Sequence, residues 1–291
     1  NEAAVLREFD LRAEAEALRC ARALCVSGGE WEAAYEAIWR PVAEASLRRL
    51  PPPLGDLATG ALGSGANCGR VAVPAPVEGL GGEAVLAMEC AGGESLKALL
   101  ERESVASMRE AAGALLGCAL PFVGWLLLCK STERLAHVDP HPGNFRWDGA
   151  SRTLWVLDWG SNIVLSSERR RALCLLVLLL SEDTAQDDGA IADIARIAGI
   201  RADDEQCLAH LMRGMMNASL HHSAQDALNA AAVDGFLSDV DDCVVPVVRC
   251  LATLGGLLKE AQRRIRNDTQ AHVPLSLAAL WRPFAREGLR M

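Results

Sequence analysis

Between His137 and Asn162 the chain reads HVDPHPGNFRWDGASRTLWVLDWGSN, a stretch crowded with groups that could do chemistry. His137, Asp139 and Asn144 follow the spacing H-x-D-x-x-x-x-N, and Asp158-Trp159-Gly160 begins nineteen residues after Asp139. Transfer of a phosphoryl group asks for a carboxylate beside the attacking hydroxyl and hard oxygen ligands for magnesium, held rigidly while charge builds. Asp139 suits the first task, and Asn144 with Asp158 the second. A different chemistry is open to the same residues. His137, Asp139 and His141 alternate along an extended segment like the ligands of a hydrolytic metal site. The next histidine is His210, and a two-histidine, one-carboxylate zinc site would leave Asn144 and the D-W-G element without a task, so zinc ranks second.

The spacing is that of a kinase-like catalytic loop. Its stiffness is written in its prolines. Pro140 and Pro142 each fix a backbone torsion and drive Asp139 and His141 toward extended conformations. Gly143 permits a tight turn ahead of Asn144, and Gly160 lets the chain turn away after Asp158. A strand expected over Leu154 to Leu157 (LWVL) would deliver Asp158 from its end.

Other elements must carry this loop. Residues 2 to 25 are dominated by Ala, Leu, Arg and Glu without Gly or Pro, which predicts a helix ended by Ser27-Gly28-Gly29. A second helix is predicted over 30 to 50, where Trp31, Tyr35, Ile38, Trp39 and Val42 recur at three- and four-residue spacings. Pro51 to Gly69 is rich in Pro, Gly and small residues and predicts a surface loop. Strands are expected over Val71 to Val77 and Glu83 to Glu89, paired across GLGG, then helices over 94–103, 105–134, 167–181, 187–199, 203–222, 225–240 and 242–267. Ala111 to Cys129 is nineteen residues without a charge, the length of a minimal membrane span, yet a buried helix explains it as well.

Composition bounds the rest. The chain has 291 residues, 51% hydrophobic, enough for one large domain or two modest ones with a substantial core. A formal charge of -9 supplies no basic stripe, which argues against nucleic acid as a partner. The ten cysteines contain no C-x-x-C, and several lie in apolar runs, as reduced core thiols do. Asn217-Ala-Ser219 and Asn267-Asp-Thr269 would accept glycans only in a secreted protein.

The loop resembles the H-x-D-P-H-P-G-N signature of the UbiB family of atypical kinases, the aarF-domain-containing kinases, and VLDWG resembles that family's L-D-F-G. Further matches run in order along the chain: REFDLRAEAEALR (7–19) is similar to an E-x-D-x-x-x-E-A helix, VLAMECAGGESL (85–96) to a strand and hinge, and Trp281-Arg-Pro-Phe-Ala to a C-terminal W-x-P-x-A. The resemblance implies a protein-kinase-like α+β fold, with residues 1–93 a partial small lobe and 94–291 a mostly helical large lobe. It implies ATP and Mg2+ as cofactors, with Asp139, His137 and Glu8 among the catalytic residues and Asn144 and Asp158 holding the metal. Met88, Glu89 and Cys90 would form the hinge beside the adenine, with Asn144 also on the nucleotide. Glu8 would sit on the helix that faces the nucleotide-anchoring lysine, and Glu14 would match a second acid that organises a family-specific N-terminal motif.

The same resemblance implies an ATPase or kinase acting on a lipid or quinone precursor, supporting quinone or isoprenoid-lipid metabolism in a mitochondrion, a plastid or at a bacterial membrane, with peripheral membrane association. Family members carry a K-x-G-Q motif, an alanine-rich nucleotide loop and a strand lysine ahead of the Glu helix. This chain begins at that helix, so the expectation is an incomplete copy of a longer protein or a degenerate member, and the rival function is a non-catalytic pseudokinase scaffold. Trp159 stands where the family has Phe, a conservative aromatic change. An insertion is expected between about residues 27 and 69.

Overall fold

The computed structural model describes residues 11–47, 70–102, 104–129, 135–181, 187–216, 239–240, 244–269 and 275–290. The expected loop 51–69 and most of the expected helix 225–240 lie outside these residues. The chain divides into two units, one of Asn1–Phe122 with Asp139–Ile163, the other of Val123–Val138 with Val164–Met291.

In the first unit, helix α1 (Leu11–Cys25) buries Ala17, Leu18 and Ala21, one stripe at helical spacing. Gly28, at φ 73°, ends it. Helix α2 runs through Glu30–Ala34, a π-helical turn at Tyr35–Trp39, and Arg40–Leu47. Its Trp31, Tyr35 and Trp39 are buried, and Trp31 meets Tyr35 and Phe122 edge-on at 5.5 and 5.2 Å between ring centres.

The strands that matter for the site follow in this unit: β1 (Arg70–Ala72), β2 (Pro76–Gly81), β3 (Leu86–Met88), β4 (Glu94–Ser95), β5 (Phe145–Asp148) and β6 (Thr153–Val156). They form a four-stranded sheet in the order β1-β6-β5-β4 and a separate β2–β3 hairpin. The first expected strand, 71–77, is therefore split. Pro74 and Pro76 supply no backbone N–H for a continuous ladder, so β1 pairs in parallel with β6 while β2 starts at Pro76 and pairs with β3. GLGG is not wholly the turn. Gly79 takes φ 76° inside β2, the register shifts there, and the chain reverses at Gly82–Val85, where Gly82 N–H donates to Val85 O at 2.8 Å. Strand β5 lies in a stretch where no strand is predicted. Its Phe145 and Trp147 are buried while Arg146 and Asp148 are half-buried, a period of two that is legible only once the loop before it is placed.

Helix α3 (Leu96–Glu101) follows β4 directly, its Ser95 cap accepting from Ala98 N–H at 3.2 Å. Helix α4 comprises Val105–Ala114, a π-helical turn at Leu115–Ala119, and Leu120–Leu128, and so ends earlier than the expected 134. Its stretch Ala106–Leu128 is long and apolar enough to cross a membrane, and 94% of its most apolar window is buried inside the protein. That is the burial of a core helix.

The second unit is helical. Helix α5 (Ser167–Leu180), capped by Ser166, packs on α6 (Asp188–Ala198) and on α9 (Leu277–Arg290). Helices α7 (Glu205–Met216) and α8 (Val245–Thr269) complete it, with a two-stranded pairing of Asp239–Val240 to Ile200–Arg201. Trp281 presses so closely on Gly124 that a Cβ there would lie 2.5 Å from the indole nitrogen. Cys129 and Cys174 are buried in this unit, and desolvation pushes the Cys174 thiol up to about 11. They are core thiols, as the apolar runs around them implied.

Candidate functional site

The loop ahead of β5 is fixed by its own backbone. Asn144 N–H donates to His141 O at 2.8 Å, Gly143 N–H to His141 Nδ1 at 3.1 Å, and Lys97 N–H from α3 to Pro142 O at 3.1 Å. These bonds turn the chain so that Asn144 reaches back. Its Nδ2 donates to the main-chain carbonyl of Asp139 at 3.1 Å and to that residue's Oδ2 at 3.2 Å. Both partners are acceptors, so the amide nitrogen must face them, which leaves Asn144 Oδ1 as the side chain's remaining acceptor.

Asp158 arrives from the neighbouring strand. Phe145 pairs with Val156 across β5 and β6, and Leu157 N–H donates to Asn144 O at 2.8 Å, extending the ladder by one step. Asp158 thus leaves the sheet beside the strand position from which Asn144 enters it, at roughly the 5 Å spacing of paired strands. Asp158 takes φ 54°, a left-handed conformation that aspartate tolerates better than most residues. Trp159 is fully buried and its Nε1 donates to Val156 O at 3.2 Å. With Trp159 anchored inward, Asp158 is exposed.

A further acid joins from α1. Glu14 is half-buried, and burial followed by the Asp158 charge raises its pKa, with the Trp159 backbone N–H partly offsetting them. Gly160 marks where the two carboxylates approach: a Cβ there would lie 3.4 Å from Asp158 Oδ1 and 3.7 Å from Glu14 Oε2. The space between them is one that a side chain would fill. The family resemblance puts Glu8 among the catalytic residues and gives Glu14 to an N-terminal motif; Glu14 is the acid that stands at the D-W-G. A signal for this is present in the sequence, because Glu14 lies three and four residues before the buried Ala17 and Leu18, on the same helical stripe. Glu8 lies outside the described residues.

The remaining site residues are placed as follows. Met88 ends β3 and is half-buried, and Cys90 is exposed. Glu89 is occupied structurally: its carboxylate accepts from Arg22 at 2.8 Å and from Ala75 N–H at 3.2 Å. His137 is fully buried. His141 is exposed, with Nδ1 engaged by Gly143. Among the described residues no three His, Cys, Asp or Glu side chains gather as a metal set. The carboxylates of Asp158 and Glu14 approach each other, and Asn144 is tied to the strand that ends at Asp158 through its backbone carbonyl.

Comparison with known proteins adds three findings. Residues 64–188 match the model of the ABC1 atypical kinase-like domain, a span that contains Asp139, Asn144 and Asp158. No curated protein matches the chain. Among solved structures, the chain is similar to the Rv3197–erythromycin complex from Mycobacterium tuberculosis, at 17% identity and a TM-score of 0.44, over 86% of this chain and 58% of that one.

Proposed function

Given that the chain carries an ABC1 atypical kinase-like domain, the domain of UbiB-type atypical kinases with their α+β kinase-like fold, we propose that it binds ATP with magnesium and transfers or hydrolyses the terminal phosphoryl group. The observation that carries this reading is the pairing that brings Asp158 beside Asn144 while Asn144 holds Asp139. Asp139 accepts the proton of the attacking hydroxyl or water, its orientation fixed by the Asn144 amide. Asn144 Oδ1 and the Asp158 carboxylate would hold magnesium, with Glu14 close to Asp158, and the ion would supply neutralisation of charge on the phosphate oxygens. Met88 to Cys90 flank the base. His137 is fully buried, and its place among the catalytic residues rests on the family resemblance.

The finer parts of the proposal rest on the family resemblance: a lipid-linked or quinone-precursor acceptor, peripheral membrane association, and a place in a mitochondrion, a plastid or at a bacterial membrane.

A non-catalytic nucleotide-binding or scaffolding domain is the second reading. Turnover separates the two readings. If the site is catalytic, Asp139→Asn lowers magnesium-dependent phosphate release from ATP by about 100-fold or more while nucleotide affinity stays near wild type. A wild type that binds the nucleotide and shows no turnover with water or any lipid acceptor establishes the scaffold.

A further inference from the structure

Resting on the nucleotide reading above, we infer that Arg146 is a positioning residue: its guanidinium fixes the base-binding segment Met88–Cys90 relative to Asn144 and Asp158, so that one nucleotide engages both.

The need for such a group is visible in the connectivity. The β2–β3 hairpin, which ends in Met88, shares no ladder with the sheet that carries β5 and β6. Two covalent links join the hairpin to the sheet, Val73–Ala75 from β1 and Glu89–Gly93 to β4, and the second closes on two glycines, the residues least able to hold a fixed direction by themselves. Glu89 N–H donates to Ala75 O at 2.8 Å and ties the two links together at the hairpin, which leaves the glycine end of the second to be fixed.

Arg146 fixes that glycine end. It sits on β5, two residues after Asn144, and the burial of Phe145 and Trp147 places Asn144 and Arg146 together on the opposite strand face. From there Arg146 Nε donates to Gly92 O at 3.3 Å, and Nη2 donates to Gly93 O. Two successive carbonyls are thus held by one planar fork, a geometry that a guanidinium satisfies and an ammonium does not. The backbone lies close enough to be gripped because Gly93 adopts φ 73° and carries no Cβ, an atom that would collide with Trp147 O. Trp155, paired with Arg146 across the sheet, bounds the other side, its indole nitrogen 3.6 Å from where a Gly92 Cβ would be. The proposed metal ligand Asn144 thus stands just ahead of β5, and the residue that grips the hinge follows two positions later.

A restraint on the spacing between two half-sites acts on ligands that span both, and leaves ligands of either half alone. Equilibrium binding to the intact chain with three probes reads this out: adenosine, magnesium tripolyphosphate and Mg·ATP. For Arg146→Ala, Mg·ATP is expected to bind about tenfold more weakly, with adenosine and magnesium tripolyphosphate within about twofold of wild type. Arg146→Lys, which keeps the charge but not the fork, is expected to recover part of the loss, and it carries the same comparison should the alanine variant not fold. Parallel weakening of all three probes, or unchanged Mg·ATP binding, overturns the inference. The two readings fail differently. A wild type that binds none of the probes brings down the nucleotide assignment and the inference with it. A wild type that binds Mg·ATP, with Asp158→Asn weakening tripolyphosphate and Arg146→Ala showing no selective loss, brings down only the role of Arg146.

Discussion

The Asn144 side-chain amide donates at once to the main-chain carbonyl and the carboxylate of Asp139, at 3.1 and 3.2 Å. A single side chain thereby orients the proposed base and keeps its own oxygen for a cation. Asn144→Ala removes both bonds from a half-buried loop and should lower stability to urea by about 1–2 kcal/mol. It should also weaken magnesium-dependent nucleotide binding. A variant as stable as wild type would show that other groups orient Asp139.

Glu14 predicts a pH dependence. Its carboxyl is raised above the ordinary value of 4.5 by burial and by Asp158. A carboxyl with a higher pKa folded than unfolded favours the folded state while protonated. Its contribution is complete below about pH 4.5 and is lost as pH climbs through the raised value. Glu14→Gln, which keeps an acceptor for the Trp159 N–H, should therefore unfold at higher denaturant than wild type at pH 7, the gap closing near pH 4. Magnesium should stabilise wild type more than this variant. A destabilised Glu14→Gln at neutral pH would contradict the like-charge account.

Gly93 is the tightest backbone approach near the hinge. Its φ of 73°, and the overlap that an added Cβ would make with Trp147 O, leave no room for a side chain. Gly93→Ala should cost about 2–4 kcal/mol by denaturant titration. Gly82→Ala serves as the control, since open space surrounds that position, and it should stay within about 0.5 kcal/mol.

Cys90 reports on the hinge. It is exposed, as are Cys20 and Cys207. Alkylation mapped by mass spectrometry should find Cys90 slowed by Mg·ATP and Cys207 unaffected. Equal rates with and without nucleotide would move the base away from Met88–Cys90.

Much of the site is legible in the sequence because it is local. The prolines and glycines of HVDPHPGN dictate a stiff loop, and the order H-x-D-x-x-x-x-N with D-W-G dictates which groups meet if a strand pair joins them. The strand pair itself is only half legible: LWVL announces β6, whereas β5 lies in FRWD, whose short alternation is masked by the loop on one side and the Asp148 turn on the other. The parallel pairing of β1 with β6 links residues 70–72 to 153–155, and no local pattern encodes a partner that distant. The place of Glu14 follows from helical phase, which motif order alone does not convey. Arg146 escapes sequence reading because its partners are carbonyls of Gly92 and Gly93, more than fifty residues earlier, and carbonyls leave no side-chain signature.

At the centre of the proposed chemistry, Asp158 would hold the cation that accompanies the nucleotide. The most direct test is to titrate Mg·ATP into wild type and Asp158→Asn by calorimetry, with and without magnesium. Magnesium-dependent binding is expected in wild type and should fall by about tenfold or more in Asp158→Asn, roughly the loss of one charged ligand contact. Equal affinity in the two proteins would contradict the assignment.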